Sequence, residues 1–220
     1  MTTAHISQPL DLVISPCLPE ELPAVCTLLA TSFADIFGSM VQLNEQQLVA
    51  LLIQTWSPYA FAADRLQVAA RLNGQIVGVI GLQWSAGHSS TRSILPHLGS
   101  LIRLYGFWNM CRFAIGISAL EHNPRLHEGY IEHLATAAEY RGRGIARSLL
   151  QWAQRYAAEQ KWNQLTLHVS YNNVHASQLY KKIGFYHHSS HSSWIQQLFL
   201  QQPGWHYMAW IPESLSPTNR

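Results

Sequence analysis

The sequence predicts an α+β fold built as one domain over residues 1–213. Asn73-Gly74 separates two strand-like runs within residues 66–84, and this dipeptide is a strong short-range signal for an antiparallel hairpin. From residue 145 to residue 157, apolar side chains recur on one face with a period of about 3.6, which predicts an amphipathic helix. Strand-like segments precede and follow that helix, and 220 residues suffice for a single hydrophobic core.

The first half of the chain is predicted to be a strand, two helices and the hairpin. Residues 10–14, LDLVI, form the first strand. Residues 19–33 form a helix, because Pro19 and two glutamates are favourable in a first helical turn. A second helix spans residues 44–56 and stops before Pro58.

An aromatic-rich stretch at residues 93–124 is predicted to be a helical insertion before the fourth strand. Gly99, Gly106 and Gly116 are expected to break it, and Asn123-Pro124 marks a turn at its end. The second half then alternates strands and helices. Its predicted segments are a strand at 128–136, the helix after residue 144, a strand at 163–170, a helix at 173–184, strands at 185–188 and 204–211, and a polar tail at 214–220.

The composition excludes some classes of function. Fourteen Lys and Arg against twelve Asp and Glu give a net charge of +2, too little to predict binding to nucleic acid or to an anionic membrane. Three scattered cysteines without C-x-x-C spacing indicate a reducing, cytoplasmic location. The first residues lack the basic start and apolar core of a signal peptide. Arg103 and Arg112 interrupt the most membrane-like segment, residues 94–120.

The stretch EYRGRGIARSLL, residues 139–150, has the properties of an anion site. It places Gly142 and Gly144 at a strand-to-helix turn, where free backbone N–H groups and the helix dipole attract negative charge. Arg141, Arg143 and Arg147 add positive charge. The chain has no P-loop string, which argues against ATP binding, and an arginine replaces the small residue that a dinucleotide fingerprint requires. An ordinary turn with solvated arginines is the alternative.

Two motifs resemble the GNAT N-acetyltransferase superfamily. Arg141, Gly144 and Ala146 match its acetyl-CoA signature Q/R-x-x-G-x-G/A, and LHVSYNNVHASQLYKKIGF, residues 167–185, is similar to its second motif. Together the motifs cover roughly residues 129–186. The resemblance implies a mixed, mostly antiparallel central sheet flanked by helices. It also implies an acyltransferase that uses acetyl-CoA as cosubstrate and a primary amine of a small molecule, peptide or protein as acceptor.

The resemblance also assigns residues to the cofactor. The diphosphate is expected on the backbone N–H groups of residues 142–147, and the strand before the loop is expected to splay from its neighbour and hold the pantetheine arm. Asn173 is expected to cap the next helix, and in relatives the same residue often contacts the cofactor. The full expected set is Leu134, Ala135, Thr136, Arg141, Gly142, Arg143, Gly144, Ile145, Ala146, Arg147, Asn173 and Tyr180.

Tyr180 matches the position of the acid that protonates the leaving thiolate in the family, although its helical spacing also fits a buried core aromatic. The base that deprotonates the amine is left open between Glu132, His168, a water-mediated route and no base at all. Glu128, four residues before Glu132, is expected on the same face if the strand reaches that far, and is otherwise a turn residue. Some relatives that acetylate protein N-termini carry a glutamate at the position of His168. Glu132 and His133 are expected on opposite faces of their strand, since strand side chains alternate.

The sequence predicts no metal, because the histidines of HHSSHSS (His187, His188 and His191) have no nearby cysteine or carboxylate. Two aromatic sets are expected either to line the acceptor groove or only to pack: Tyr105, Phe107, Trp108 and Phe113 in the insertion, and Trp194, Phe199 and Trp205 near the C-terminus. A homodimer is compatible with the sequence. The alternative to catalysis is a non-catalytic sensor or subunit with the same fold that binds an acyl-CoA.

Overall fold

The protein folds around one seven-stranded sheet. A computed structural model describes residues 11–85, 98–191 and 203–212. The strands are β1 Leu12–Pro16, β2 Arg65–Leu72, β3 Gln75–Trp84, β4 Glu128–Thr136, β5 Gln164–Ser170, β6 Tyr186–His191 and β7 Trp205–Trp210. Their order in the sheet is β1-β2-β3-β4-β5-β7-β6. Every neighbouring pair is antiparallel except β4 and β5, which are parallel. The predicted fold class is therefore confirmed.

Helices cover both faces of the sheet. In the described residues they are α1 Leu22–Ser32, α2 Ala34–Met40, α3 Glu45–Trp56, α4 Leu98–Tyr105, α5 Phe107–Leu120, α6 Ile145–Glu159 and α7 Val174–Lys182. A 3-10 turn at Pro19–Glu21 precedes α1, so the predicted helix at 19–33 begins less regularly than expected. The short helix α2 has no counterpart in the sequence prediction.

Local sequence signals explain several boundaries. The α3 helix begins with a capping box in which Asn44 Oδ1 accepts from the Gln47 N–H at 2.9 Å and the Gln47 side chain accepts from the Asn44 N–H at 3.1 Å. The β2–β3 hairpin turns at Asn73 and Gly74, both with positive φ, as predicted. Observed β1 lies two residues later than the predicted strand, and β6 continues to His191, where a loop was expected.

The helical insertion before β4 is confirmed for residues 98–120, while residues 93–97 lie outside the described part of the chain. Gly106, with a φ of 86°, separates α4 from α5 as expected. The predicted breaks at Gly99 and Gly116 are wrong, because both glycines lie inside helices. Gly116 has a packing role instead, since a Cβ there would lie 2.7 Å from Met40 Cγ.

The two faces of the sheet bury different helices. On one face, α6 and α7 pack on the strands, and α6 approaches β3 so closely that a Cβ at Gly78 would lie 2.8 Å from Ile145 Cγ2. On the other face, helices α1–α5 form two further apolar clusters with the sheet. We call the first the α6–α7 face and the second the insertion face.

Within the described ranges, no single helix is long and apolar enough to cross a membrane. A bent pair, Pro19–Ser32 followed by Ala34–Met40 at 85°, meets the length and composition requirement only together. The polar tail at residues 214–220 lies outside the described residues.

Candidate active site

The central feature of the site is a wedge between β4 and β5. The two strands pair from Glu128 and Gln164 to Ile131 and Leu167, and pairing then ends. Residues 132–136 of β4 continue against β3 alone, and residues 168–170 of β5 continue against β7 alone. The backbone groups of β4 that face β5 in this region are therefore available to a ligand. The splayed strand expected from the sequence is present.

The predicted anion loop closes one end of this wedge. Gly142 and Gly144 have φ values of 76° and 84°, a conformation that residues with a Cβ adopt at a cost. Gly144 is the N-cap of α6, and no side chain caps this helix. The first N–H groups of α6 therefore have no partner within the helix.

A cavity of about 330 Å³ lies at this helix terminus. Its lining includes seven of the expected cofactor residues: Thr136, Arg141, Gly142, Gly144, Ile145, Ala146 and Arg147. Tyr140, Leu179 and Lys182 complete the lining and were not predicted. Lys182 follows Leu179 by three residues on α7, so helical spacing from the second motif would have placed its side chain on the same face.

Two of the three loop arginines contact the loop itself. The Nε of Arg141 donates to the Thr136 carbonyl at 3.3 Å, which ties the loop to the end of β4. The guanidinium of Arg143 lies 5.3 Å from the centre of the Tyr140 ring, within the range of a cation–π contact. The side chains of all three arginines are exposed, so they remain accessible to an anion in the cavity.

The remaining expected cofactor residues lie at different depths. Ala135 is buried against α1, whereas Leu134 packs towards the α6–α7 face. Thr136 lines the cavity, and its Oγ1 is buried without a hydrogen-bond partner among the described residues. Asn173 Oδ1 accepts from the Ala176 N–H at 3.1 Å, which confirms its predicted role as the cap of α7. Its contact with a cofactor stays a prediction.

Tyr180 lies on α7 and is 8% exposed. Its ring contacts Phe185 at a centroid distance of 5.9 Å within the α6–α7 core. Burial raises the pKa of the phenol to about 12, so the hydroxyl carries its proton at neutral pH. Tyr180 is therefore a core aromatic that keeps its hydroxyl hydrogen at neutral pH, and its role as the acid stays a prediction.

A β-bulge sets the positions of Glu132 and His133. Gly81 of β3 pairs with His133 and Leu82 pairs with Ile131, so Glu132 is the extra residue. Glu132 pairs with Arg65, and the His133 ring meets Trp56 of α3 edge-on at 5.1 Å. Both side chains therefore lie on the insertion face. The expectation that they point to opposite faces is wrong, because the bulge interrupts the alternation.

Glu132 is not a free carboxylate. It forms an ion pair with the buried guanidinium of Arg65, which also lies 5.6 Å from the centre of the Tyr59 ring. Arg65 precedes Glu132 by 67 residues, and no local pattern connects the two. Protonation of Glu132 would leave the buried Arg65 charge without its partner, which is costly.

His133 is held as a neutral ring. Burial lowers its pKa to about 3, and its imidazole occupies the space above Gly81, where a Cβ would lie 2.2 Å from the ring. Gly81 is therefore required by the packing of His133.

His168 lies on β5 at the first position beyond the paired region, on the insertion face. Its Nδ1 is 3.1 Å from the Tyr130 hydroxyl. The rings of His122 and Tyr207 lie 5.3 Å and 4.9 Å from its own. Glu128 is buried beside these rings. The structure thus gives each of the two base candidates, His168 and Glu132, a defined set of partners.

Other predicted features have simpler roles. Ser190 Oγ lies 2.8 Å from His187 Nε2 and 3.1 Å from His206 Nδ1. Across the described ranges, no group of three or more His, Cys, Asp or Glu side chains is placed to hold a metal ion, and the His191 side chain lies outside them.

Of the aromatic sets, Phe113 and Trp205 pack in the insertion-face core, with Tyr105 partly buried against it. Phe107 and Trp108 are exposed, Trp108 by 77%. Trp194 and Phe199 lie outside the described residues.

Comparisons with known proteins agree with this geometry. The family model described as "Acetyltransferase (GNAT) family" matches residues 35–185. A streptothricin acetyltransferase from Escherichia coli is 38% identical over 55 residues, which cover 25% of this chain and 32% of that relative. The match therefore spans about a third of that relative's length.

Solved structures share the fold. A ribosomal-protein-alanine N-acetyltransferase from Brucella melitensis superimposes with a TM-score of 0.60 at 16% identity, over 91% of this chain and 99% of that one. The PaiA N-acetyltransferase from Thermoplasma acidophilum, solved in complex with coenzyme A, gives a TM-score of 0.55 at 13% identity, over 92% and 99%. Because the family model extends over more than half of the sequence, the chain belongs to the GNAT acetyltransferase family.

Proposed function

We propose that this protein transfers an acetyl group from acetyl-CoA to a primary amine by direct attack of the amine on the thioester. The observation that carries the proposal is the end of β4–β5 pairing at Ile131 and Leu167, which opens a wedge that leads to the anion cavity at the α6 terminus. The GNAT family uses acetyl-CoA, and the cavity and the wedge provide for its two dissimilar parts, the charged phosphates and the amide-containing arm.

The donor is expected to bind along the wedge. The N–H groups of residues 142–147 hold the diphosphate, with Lys182 adding charge from α7. The unpaired backbone edge of residues 132–136 bonds to the pantetheine amides. An N–H of this same edge donates to the thioester carbonyl, where negative charge develops as the amine attacks.

The leaving group requires a proton at the end of the reaction. Tyr180 remains a phenol at neutral pH because burial raises its pKa to about 12. A phenol with that pKa can hydrogen-bond to the departing thiolate and stabilise it until it is protonated. The acceptor amine itself must lose a proton before attack, for which Glu132 and His168 are the two candidates on the insertion face.

The acceptor class has to be found by experiment, because the similar proteins act on different acceptors. They include a streptothricin acetyltransferase and a ribosomal-protein-alanine N-acetyltransferase. A panel of small-molecule amines and peptides with free N-termini should be screened for thiol release from acetyl-CoA. Release with at least one amine, accompanied by a mass increase of that amine, is the expected result. Thermal stabilisation by ATP but not by CoA would contradict the assignment of the cavity.

A non-catalytic acyl-CoA sensor is the second candidate, and the ion pair of Glu132 with Arg65 favours it, because that carboxylate is already engaged. The same two assays separate the candidates. A sensor would be stabilised by acetyl-CoA and would release no thiol with any amine. An enzyme would show both responses, and Tyr180→Phe would slow the release without weakening CoA binding.

A further inference from the structure

A buried carboxylate lies on the insertion face close to His168. Glu128 is 2% exposed. It accepts hydrogen bonds from the Thr166 hydroxyl at 2.6 Å, the Tyr207 hydroxyl at 2.7 Å and the Arg125 N–H at 2.9 Å, and its Oε1 lies 3.2 Å from His122 Nε2. Burial alone would raise the pKa of this carboxyl, but the hydrogen bonds from these four groups together lower it to about 2. Glu128 is therefore a negative charge at every working pH.

The partners of Glu128 are the same rings that surround His168. Tyr207 donates to Glu128, and its ring lies 4.9 Å from the His168 ring. His122 bonds to Glu128 through Nε2, and its ring lies 5.3 Å from His168. A single layer of side chains thus separates the carboxylate from the imidazole. In the described part of the chain no Lys or Arg side chain forms an ion pair with Glu128, and the basic side chain in contact with it is His122.

On the basis of the proposed acetyl transfer, we infer that His168 is the base for the acceptor ammonium and that Glu128 is its positioning residue, acting through Tyr207 and His122. In this step an N–H bond of the ammonium breaks, an Nε2–H bond forms on His168, and the amine lone pair is released for attack. The step requires the tautomer in which Nδ1 carries the hydrogen and donates it to the Tyr130 oxygen, 3.1 Å away. The imidazolium later returns the proton to water.

Charge compensation favours His168 over Glu132 in this role. The proton on His168 creates a cation beside the ionised Glu128, which stabilises it. The proton on Glu132 would remove a charge that the buried Arg65 requires. Among the described residues, the groups that face His168 include Tyr130 from β4, Tyr207 from β7 and His122 from the segment after α5. His188 of β6 contacts the Tyr207 ring at 5.6 Å.

The inference predicts a shift in the pH profile. In Glu128→Gln, the acid-side midpoint of kcat/KM should fall by about one pH unit, since loss of an opposite charge one side-chain layer away lowers the pKa of a histidine. Glu159→Gln, at the exposed C-terminal end of α6, is the matched control and should leave the midpoint unchanged. His168→Asn should lower kcat about a hundredfold and remove the acid limb.

Two readouts separate failure of this inference from failure of the proposed function. The titration of His168, followed by NMR of ¹³C-labelled histidine without substrates, should move to lower pH in Glu128→Gln even if no acceptor is found. If Glu128→Gln does not fold, Glu128→Asp, which keeps the charge but withdraws the carboxylate by one methylene from the surrounding rings, should move the titration in the same direction by a smaller amount. An unmoved titration in the folded variants, or an acid limb that survives in His168→Asn and disappears in Glu132→Gln, would overturn the inference.

Discussion

The replacement of Gly144 by alanine tests whether the α6 loop holds the cofactor phosphates. Gly144 has a φ of 84° and lines the cavity, and a Cβ built on it meets no atom within 4 Å. The substitution therefore creates no clash within the protein. The substitution has two separate consequences. It imposes the conformational cost that replacing any glycine of positive φ would impose, and it puts a methyl group into the space expected for the diphosphate.

Gly74 offers a matched control for the backbone penalty. Its φ is 79°, a Cβ there also meets nothing within 4 Å, and it lies in the β2–β3 hairpin turn outside the cavity lining. A left-handed conformation costs a residue with a Cβ about 1 kcal/mol. Both Gly74→Ala and Gly144→Ala should therefore lower Tm by about 2–4 °C in a chain of this size.

Only Gly144→Ala should change the response to CoA. At a concentration of about 100 times Kd, a ligand stabilises the folded state by about 2.7 kcal/mol, and a tenfold weaker ligand by about 1.4 kcal/mol. Thermal unfolding with and without CoA would resolve this difference, and calorimetric titration would give Kd directly. If Gly144→Ala loses the same stability as Gly74→Ala and still binds CoA as tightly as the unaltered protein, the phosphate assignment is refuted.

Three further substitutions test other parts of the site. Lys182→Met should weaken CoA binding about tenfold, because one positive charge near a phosphate is lost. Lys181→Met, adjacent on α7 but outside the cavity lining, should leave binding unchanged, and calorimetry measures both. Tyr180→Phe should slow thiol release about a hundredfold at every pH from about 6 to about 9, because the phenol stays protonated over that range; a rate loss confined to the acid end would contradict the role. Gly81→Ala should destabilise the fold by about 1–3 kcal/mol, since its Cβ would meet the His133 ring; unchanged denaturant unfolding would exclude that contact.

The elements that the sequence predicted well are those specified by neighbouring residues. The hairpin at Asn73-Gly74 depends on two residues that accept positive φ, and the α7 cap depends on Asn173 and the N–H three residues later. The anion loop is likewise local, since Gly142 and Gly144 supply the turn themselves. Signals of this kind are contained in a few consecutive residues and can be recognised without knowledge of the fold.

The features that were not predicted depend on distant partners. Glu132 and Arg65 are 67 residues apart, and Tyr207 lies 79 residues beyond Glu128, so neither contact has a local signature. The bulge at Glu132 depends on how β4 pairs with β3, and this pairing cannot be read from the alternation of side chains within β4. Gly116 lies inside α5 because it makes room for Met40, which belongs to a helix that the sequence does not predict.

The cysteines indicate whether the proposed acetyl transfer takes one step or two. A two-step transfer through an acetylated cysteine requires a reactive thiolate in the wedge. Burial raises the pKa of Cys17, which follows β1, and of Cys26, which lies in α1, to about 12, so neither is a thiolate at neutral pH. Cys111 lies in α5. The two buried thiols are therefore poor nucleophiles, which supports the proposed direct transfer, a reaction that needs both substrates present at once.

Direct transfer in turn assigns the two substrates to opposite faces of the sheet. The anion cavity is formed by α6 and α7, whereas Glu132, His168 and the Glu128 cluster lie on the insertion face. Under the proposed transfer, we expect the donor to bind from the α6–α7 face and the amine to meet it from the side that α1–α5 cover. The family motifs lie in the loop and helices that hold the donor. On the same proposal, we expect the helices of the insertion face, rather than the two motifs, to contact the acceptor.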